Sequence, residues 1–349
     1  MFILNLLMGF AMLRSSLFFL LAFPLSALAQ PNMAQLLALN LSMVQVSVEL
    51  PNGSTGTGSG VVVDEYHVAT NCHVLADARG VSVAKYGAGH QPVALKADWK
   101  HDLCLLKFSK LPFPAVALRD SASLQYEQEV FVISYPNDTN VPQPSYGSIK
   151  ALYPYDGSVI VRSDAAFSLG SSGGALFDQE SGLIGITTFK SPGRNAYYYS
   201  LPVEWIRKLM ASPDLLDLSS TEAPFWSLPE AERPFFMRVV LPYQNGAWAD
   251  LMRIAAQWVN EEPANADAAY YLGRAQYELK QPREAELYLA QAVMLNPRHL
   301  EAQVALARLA IDEGRFQLAA SIRDQVRNLS VEEADALDRR IEKNGIDCC

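Results

Sequence analysis

The sequence predicts a two-part chain, an all-β half followed by an all-α half, and three observations predict it. Short β-branched and aromatic runs separated by turn residues fill residues 44–199. After Glu232 the composition shifts to Ala, Leu, Glu, Gln and Arg, and Pro263 and Pro297 recur at a helical-repeat spacing. Of the 349 residues 50% are apolar and 19% charged, which excludes a disordered or collagen-like chain and is long enough for two domains. The 28 Lys and Arg against 37 Asp and Glu leave a net charge of −9 with no basic cluster, so a nucleic-acid surface, which needs clustered cations against phosphate, is excluded. A protein or peptide is the expected partner.

The chain opens on a leader. Residues 1–29 carry one basic residue, Arg14, then an apolar run, then Ala27-Leu28-Ala29 before Gln30, the pattern of a secretory signal peptide cleaved after Ala29. Met12 makes the better start, because Met12-Leu13-Arg14 sets a positive charge directly before the apolar core. The uninterrupted run is shorter than the roughly 20 residues of a spanning helix, so no stable membrane anchor is expected after cleavage. The mature protein is expected to be exported, periplasmic or secreted.

In the first domain, 30–212, runs 44–50, 60–63, 81–85, 103–108, 130–134, 159–162 and 183–189 read as strands of a sandwich or barrel. Pro51-Asn52-Gly53, Pro136-Asn137-Asp138, Asp156-Gly157 and Ser191-Pro192-Gly193 supply the turns. Residues 203–210, behind Pro202, read as a short closing helix. The aperiodic stretch 213–231 reads as the linker to a helical domain, 232–345.

Within unit 266–299, Leu272 and Gly273 hold the seventh and eighth positions, Ala285 the twentieth, Ala292 the twenty-seventh and Pro297 the thirty-second. Unit 300–333 keeps Leu306, Ala307, Ala319 and Val326 in register; unit 232–265 keeps Leu251, Trp258 and Pro263, but Pro242 interrupts its first helix. Small residues here let two antiparallel helices approach closely, and the pattern resembles the tetratricopeptide repeat. Such repeats imply a surface for a protein partner, against the plainer reading that they only stabilise the first domain.

Three motifs carry the chemistry. Gly170-Ser171-Ser172-Gly173-Gly174 follows Asp164-Ala165-Ala166-Phe167; Thr70-Asn71-Cys72-His73 follows the 60–63 strand; His101-Asp102-Leu103-Cys104 opens an apolar strand. Taken alone, a Ser-Ser-Gly-Gly run is an ordinary turn. In the order His, Asp, Ser the set resembles the trypsin-like, chymotrypsin-fold serine proteases, and the Asp-Ala-Ala lead-in resembles their HtrA-like branch. That resemblance, covering about residues 35–212, implies a chymotrypsin-like double β-barrel without a cofactor. It makes Ser172 the nucleophile, His73 the general base, Asp102 its orienting carboxylate, and the amides of Gly170 and Ser172 the oxyanion donors. It also places the base of the specificity pocket at Ala165, Ala166 and Phe167, whose lack of charge implies small or medium apolar side chains at the cleavage position. His67, His90, His101 and His299 read as surface or structural residues.

Cys72, His73, Asp102 and Cys104 admit two further readings. They could form a zinc set, although the spacing matches no close-set knuckle and metal would consume the base. If the resemblance makes His73 and Asp102 neighbours, Cys72 and Cys104 fall on adjacent backbone and a disulfide closes between them. The sequence departs from the HtrA-like branch in carrying helical repeats where a PDZ domain would follow, and Ser171 where Asn or Asp is usual. The leading expectation is an exported serine endopeptidase whose repeats recruit substrate or regulator; the alternative is a repeat-based scaffold or chaperone with an inactive barrel.

Overall fold

The structure is a computed structural model that describes residues 31–346 except 138, 194, 217, 218, 220 and 221. Residues 1–29, read above as a secretory signal, and Cys348 and Cys349 lie outside the described residues. Asn32 caps the first helix, α1 (Met33–Asn40), with a reciprocal Asn32–Gln35 capping box. The first sheet takes β1 (Met43–Glu49), β2 (Thr55–Val62) and β3 (His67–Thr70), then, after the one-turn helix α2 (Cys72–Leu75), β4 (Gly80–Lys85), β5 (Ala88–His90), β6 (Ala94–Asp98) and β7 (Leu103–Lys107). Its order is β5-β4-β1-β2-β3-β7-β6, all antiparallel. Valines alternate inward along β1 and pack on Val62, Val83, Leu95, Trp99 and Leu106.

The second sheet takes β8 (Glu129–Ser134), β9 (Gln143–Tyr155), β10 (Ser158–Ser163), β11 (Ala175–Asp178), β12 (Leu183–Lys190) and β13 (Tyr198–Pro202), closed as β10-β13-β12-β11-β8-β9. Only this half is a hydrogen-bonded barrel. In the first sheet β5 and β6 do not pair; Leu95 on the free edge of β6 instead exchanges backbone bonds of 2.9 and 2.7 Å with Leu215. The expected double barrel is thus one closed barrel and one open sheet.

Helix α3 (Val203–Met210) follows Pro202 and buries Val203, Trp205, Ile206 and Leu209. The interrupted first helix of the repeats is split into α4 (Phe235–Arg238) and α5 (Val240–Asn245), with Pro242 in the first turn of α5, where its missing N–H costs no helical bond. There follow α6 (Trp248–Glu261), α7 (Ala266–Glu278), α8 (Pro282–Leu295), α9 (Leu300–Asp312), α10 (Phe316–Arg327) and α11 (Val331–Ile346). The starts of α6, α8 and α10, at Trp248, Pro282 and Phe316, stand 34 residues apart, as do those of α7 and α9 at Ala266 and Leu300. Gly273 is the close-approach point, since a Cβ there would lie 2.9 Å from the Leu289 amide nitrogen on α8.

The helices sit on the closed barrel. One apolar cluster runs from Phe131, Tyr153 and Phe177 through Phe236 and Trp258 to Tyr271 and Leu289, with the Tyr153 and Phe236 rings stacked at 4.5 Å. Beside it lies a buried polar seam. Arg162 of β10 donates to Tyr271 Oη (3.2 Å) and Glu301 Oε1 (2.8 Å), Tyr126 donates to Asp267, and His299 caps α9 by accepting the Ala302 amide (3.3 Å). Burial raises Asp267 above the ordinary carboxyl range against the pull of His299 and Arg162. Burial also pushes Glu301 up, but Arg162 and His299 outweigh it and its carboxyl lies below the ordinary range.

Candidate active site

The end of β3 and the start of β7 in the first sheet, one end of the closed barrel and the segment before α4 carry His73, Asp102, Ser172 and their neighbours. Asp102 ends a tight turn with φ 60°, a left-handed conformation that Asp tolerates better than most residues. The turn is held on both sides. His101 bonds Asp98 (2.7 Å) and Asp156 (2.9 Å) through its two ring nitrogens and lies over Trp205, while the Asp102 carbonyl accepts Asn71 Nδ2 (2.9 Å) and the Cys72 amide (3.3 Å).

The Asp102 carboxylate, fully buried, takes the His73 backbone amide on Oδ1 (2.7 Å) and the His73 ring Nδ1 on Oδ2 (2.6 Å). A carboxylate only accepts, so Nδ1 carries the proton and Nε2 is left as the basic nitrogen. The His73 side chain keeps 30% of its surface exposed, which leaves that nitrogen a way to the solvent side.

Cys72 and Cys104 are joined by a disulfide with Cα atoms 5.0 Å apart, tying the His73 helix to the Asp102 strand. Their sulfurs bind each other, so the zinc reading of this set is corrected. Among the described residues no group of three or more His, Cys, Asp and Glu is placed to hold a metal.

The Ser172 loop is held by its neighbours. A Cβ on Gly170 (φ 89°) would lie 2.2 Å from Asn137 Oδ1, and one on Gly173 (φ 85°) 2.1 Å from the Ser59 carbonyl, so both positions need glycine twice over. Ser171 is buried; its hydroxyl accepts from Ser134 Oγ (2.9 Å) and its carbonyl from Thr187 Oγ1 (2.6 Å). Within this loop the amides of Ser171, Gly173 and Gly174 donate to Ser168, Thr187 and Ser171, whereas those of Gly170 and Ser172 find no acceptor among the described residues. The Ser172 hydroxyl donates to the Thr188 carbonyl (3.3 Å), and no hydrogen bond joins it to His73.

The three residues expected at the pocket base part company. Ala165 is fully buried in the barrel core with Leu176 and Ile184, Ala166 is exposed, and the half-buried Phe167 ring lies 5.0 Å from that of Tyr198. Of the other histidines, His67 pairs with Asp64, His90 meets Phe113 edge-on and His299 caps a helix, so each is structural or at the surface.

Sequence reasoning missed two contributors. Asn71 links the Asp102 carbonyl to Thr188 Oγ1 (2.9 Å), and Trp226, in the stretch read as linker, donates its indole N–H to Asp102 Oδ2 (2.9 Å). The signal for the second was a Phe-Trp pair between Pro224 and Pro229, too apolar for a free tether.

Comparison with known proteins gives this centre a context. Residues 58–186, which contain all three residues, match the family model of the trypsin-like peptidase domain. The chain is 30% identical over 155 residues to a probable periplasmic serine endoprotease DegP-like of Halomonas elongata, over 42% of this chain and 33% of that protein. It is also 30% identical over 169 residues to serine protease HTRA1A of Danio rerio, over 45% and 35% respectively. The chain therefore spans about a third of the length of the curated relatives it matches. Among solved structures, the serine endoprotease from Yersinia pestis aligns with TM-score 0.47 and 23% identity over 52% of this chain and 66% of that one. A protease from M. tuberculosis in its active form aligns with TM-score 0.48 and 20% identity over 55% and 92%.

Proposed function

We propose that this chain is an exported serine endopeptidase that cleaves protein or peptide substrates through Ser172, His73 and Asp102. The observation that carries the reading is the His73–Asp102 pair at 2.6 Å, which engages Nδ1 and leaves Nε2 away from the carboxylate, inside the stretch matching the trypsin-like peptidase domain. In this reading His73 takes the Ser172 proton as the hydroxyl attacks the scissile carbonyl, and returns it to the leaving amine. The amides of Gly170 and Ser172, without an acceptor among the described residues, receive the oxyanion. Export is supported by the leader pattern and by the periplasmic DegP-like relatives. Among the described residues no helix is long and apolar enough to cross a membrane.

Two features set how the activity is used. The Ser172 hydroxyl rests on the Thr188 carbonyl, so attack requires a rotation about its Cα–Cβ bond toward His73. The 34-residue hairpins are tetratricopeptide-like repeats that recruit substrate or regulator on the surface left free by the barrel, while their seam with Arg162 steadies the peptidase half. A small or medium apolar side chain at the cleavage position fits the uncharged Ala166-Phe167 stretch.

The test is a fluorophosphonate probe on the purified mature protein with peptide mapping of the adduct. Label on Ser172 that disappears in His73→Ala supports the endopeptidase. Intact, folded protein that takes no label favours the alternative, a repeat-based scaffold with an inactive barrel.

A further inference from the structure

We propose that Trp226 is a positioning residue of the catalytic centre, through which the helical region reaches Asp102. The inference rests on reading His73, Asp102 and Ser172 as a working triad. Trp226 lies in the short 3₁₀ turn Phe225–Ser227, outside the stretch that matches the peptidase model. Its indole N–H donates to Asp102 Oδ2 at 2.9 Å, the same oxygen that holds the His73 ring at 2.6 Å.

The geometry leaves the carboxylate no freedom to turn. Oδ1 is fixed by a backbone amide and Oδ2 by two ring N–H groups, so its plane, and with it the direction of the imidazole, is set by three donors. A buried carboxylate is costly without donors, and bonds to a charged acceptor are the stronger kind. An indole supplies such a bond without a competing charge. Removing it leaves the ion under-solvated and the imidazole less well aimed, a loss felt where positive charge develops on His73 during reaction.

The ring is itself held from both halves. It stacks on Phe189 (5.8 Å) and stands edge-on to His73 (5.5 Å). Phe225, buried beside it, donates its amide to the Lys100 carbonyl (2.9 Å) and packs on Tyr155 (4.9 Å), which meets Phe236 of α4. A shift in how α4 sits on the barrel therefore changes the place of a group touching the triad carboxylate. A packing residue would need the ring but not the N–H.

The experiment compares full-length wild type with Trp226→Phe, which keeps the ring on Phe189 and drops the donor. The readouts are kcat and KM on a peptide substrate, the rate of fluorophosphonate labelling at Ser172 and the thermal midpoint. The expected result is kcat and labelling rate lowered about 10- to 100-fold, with KM within about twofold and the midpoint nearly unchanged. A second variant, Phe225→Leu, loosens the turn while leaving the indole, and is expected to lower kcat by a smaller factor. Trp226→Phe that labels and turns over at the wild-type rate overturns the inference and leaves the endopeptidase reading standing. Wild type that takes no label at Ser172 overturns that reading and the inference with it.

Discussion

Two buried places in this molecule are built from the same parts. At one, His73 meets Asp102 and an aromatic N–H from Trp226; at the other, His299 lies beside Asp267, which takes an aromatic O–H from Tyr126. The first lies at the junction of two sheets and a connecting segment, the second in the seam between closed barrel and helices. The difference is what each Nδ1 bonds and whether the ring is enclosed. His73 gives only Nδ1 to its carboxylate, at 2.6 Å, and keeps part of its surface open. His299 is fully enclosed, with Nδ1 accepting the Ala302 amide and Nε2 left facing Asp267 at 3.7 Å. Arg162, a permanent cation, then takes over the balancing of charge in the seam. On the proposed reading, a His–Asp pair serves catalysis where Nδ1 donates to the carboxylate and Nε2 stays within reach of a substrate.

That contrast can be broken most decisively by exchanging the two histidines' fates. His73→Ala is expected to lower kcat/KM by roughly 10⁴-fold or more at unchanged thermal midpoint, whereas His299→Ala should keep kcat within a few-fold and lose about 1–2 kcal/mol of stability with its helix cap. Peptide hydrolysis and urea unfolding of both variants would expose a failure, which is His299→Ala silencing a fully stable protein.

Arg162→Met tests the seam alone. Removing the cation strands Glu301 and Asp267 in a low-dielectric setting, and about 3–5 kcal/mol of unfolding free energy should be lost, read as a drop in the urea midpoint. The disulfide should matter to both stability and activity, because it ties the two elements that carry His73 and Asp102. Its 32-residue separation corresponds to about 3–4 kcal/mol of loop entropy. Reduced, alkylated protein should unfold at lower denaturant and hydrolyse more slowly; full activity after verified reduction would separate the bond from the site.

The smallest effect is a pH dependence in the seam. Asp267 has its folded value raised, so the stability it contributes is present below the unfolded value of about 3.8 and is lost as pH rises through the folded one. Asp267→Asn cannot ionise and keeps an acceptor for Tyr126. Its midpoint relative to wild type should therefore climb as pH rises from about 4 to 7; a flat difference would mean that burial does not shift this carboxyl.

Much of the architecture was legible in advance because it rests on local patterns. The 203–210 helix stands at its expected bounds behind Pro202, and strands 81–85, 103–108 and 130–134 match to within a residue at each end. Six strands escaped: β3, β5 and β6 of the first sheet, only three to five residues long, and three of the closed barrel. β9 carries Pro144, Gly147 and Pro154, β11 is four buried residues directly after a glycine pair, and β13 is a Tyr-rich run whose partners are distant in sequence. Their pairing is decided by the closed barrel and not by local preference.

The amino-acid sequence by itself determined the division into a β half and a repeating helical half, the motif order His73, Asp102, Ser172, and the glycines that the tight loop around Ser172 needs. Each of these rests on periodicity or on backbone demands within a few residues. Tertiary structure decided the rest: the disulfide's closure, the open first sheet, the burial of Ala165 in the core, the Ser172 hydroxyl's place on Thr188, and the arrival of Trp226 at Asp102. These depend on groups up to 124 residues apart meeting in space. Such contacts are set by the packing of whole elements, and no local pattern in the chain encodes them.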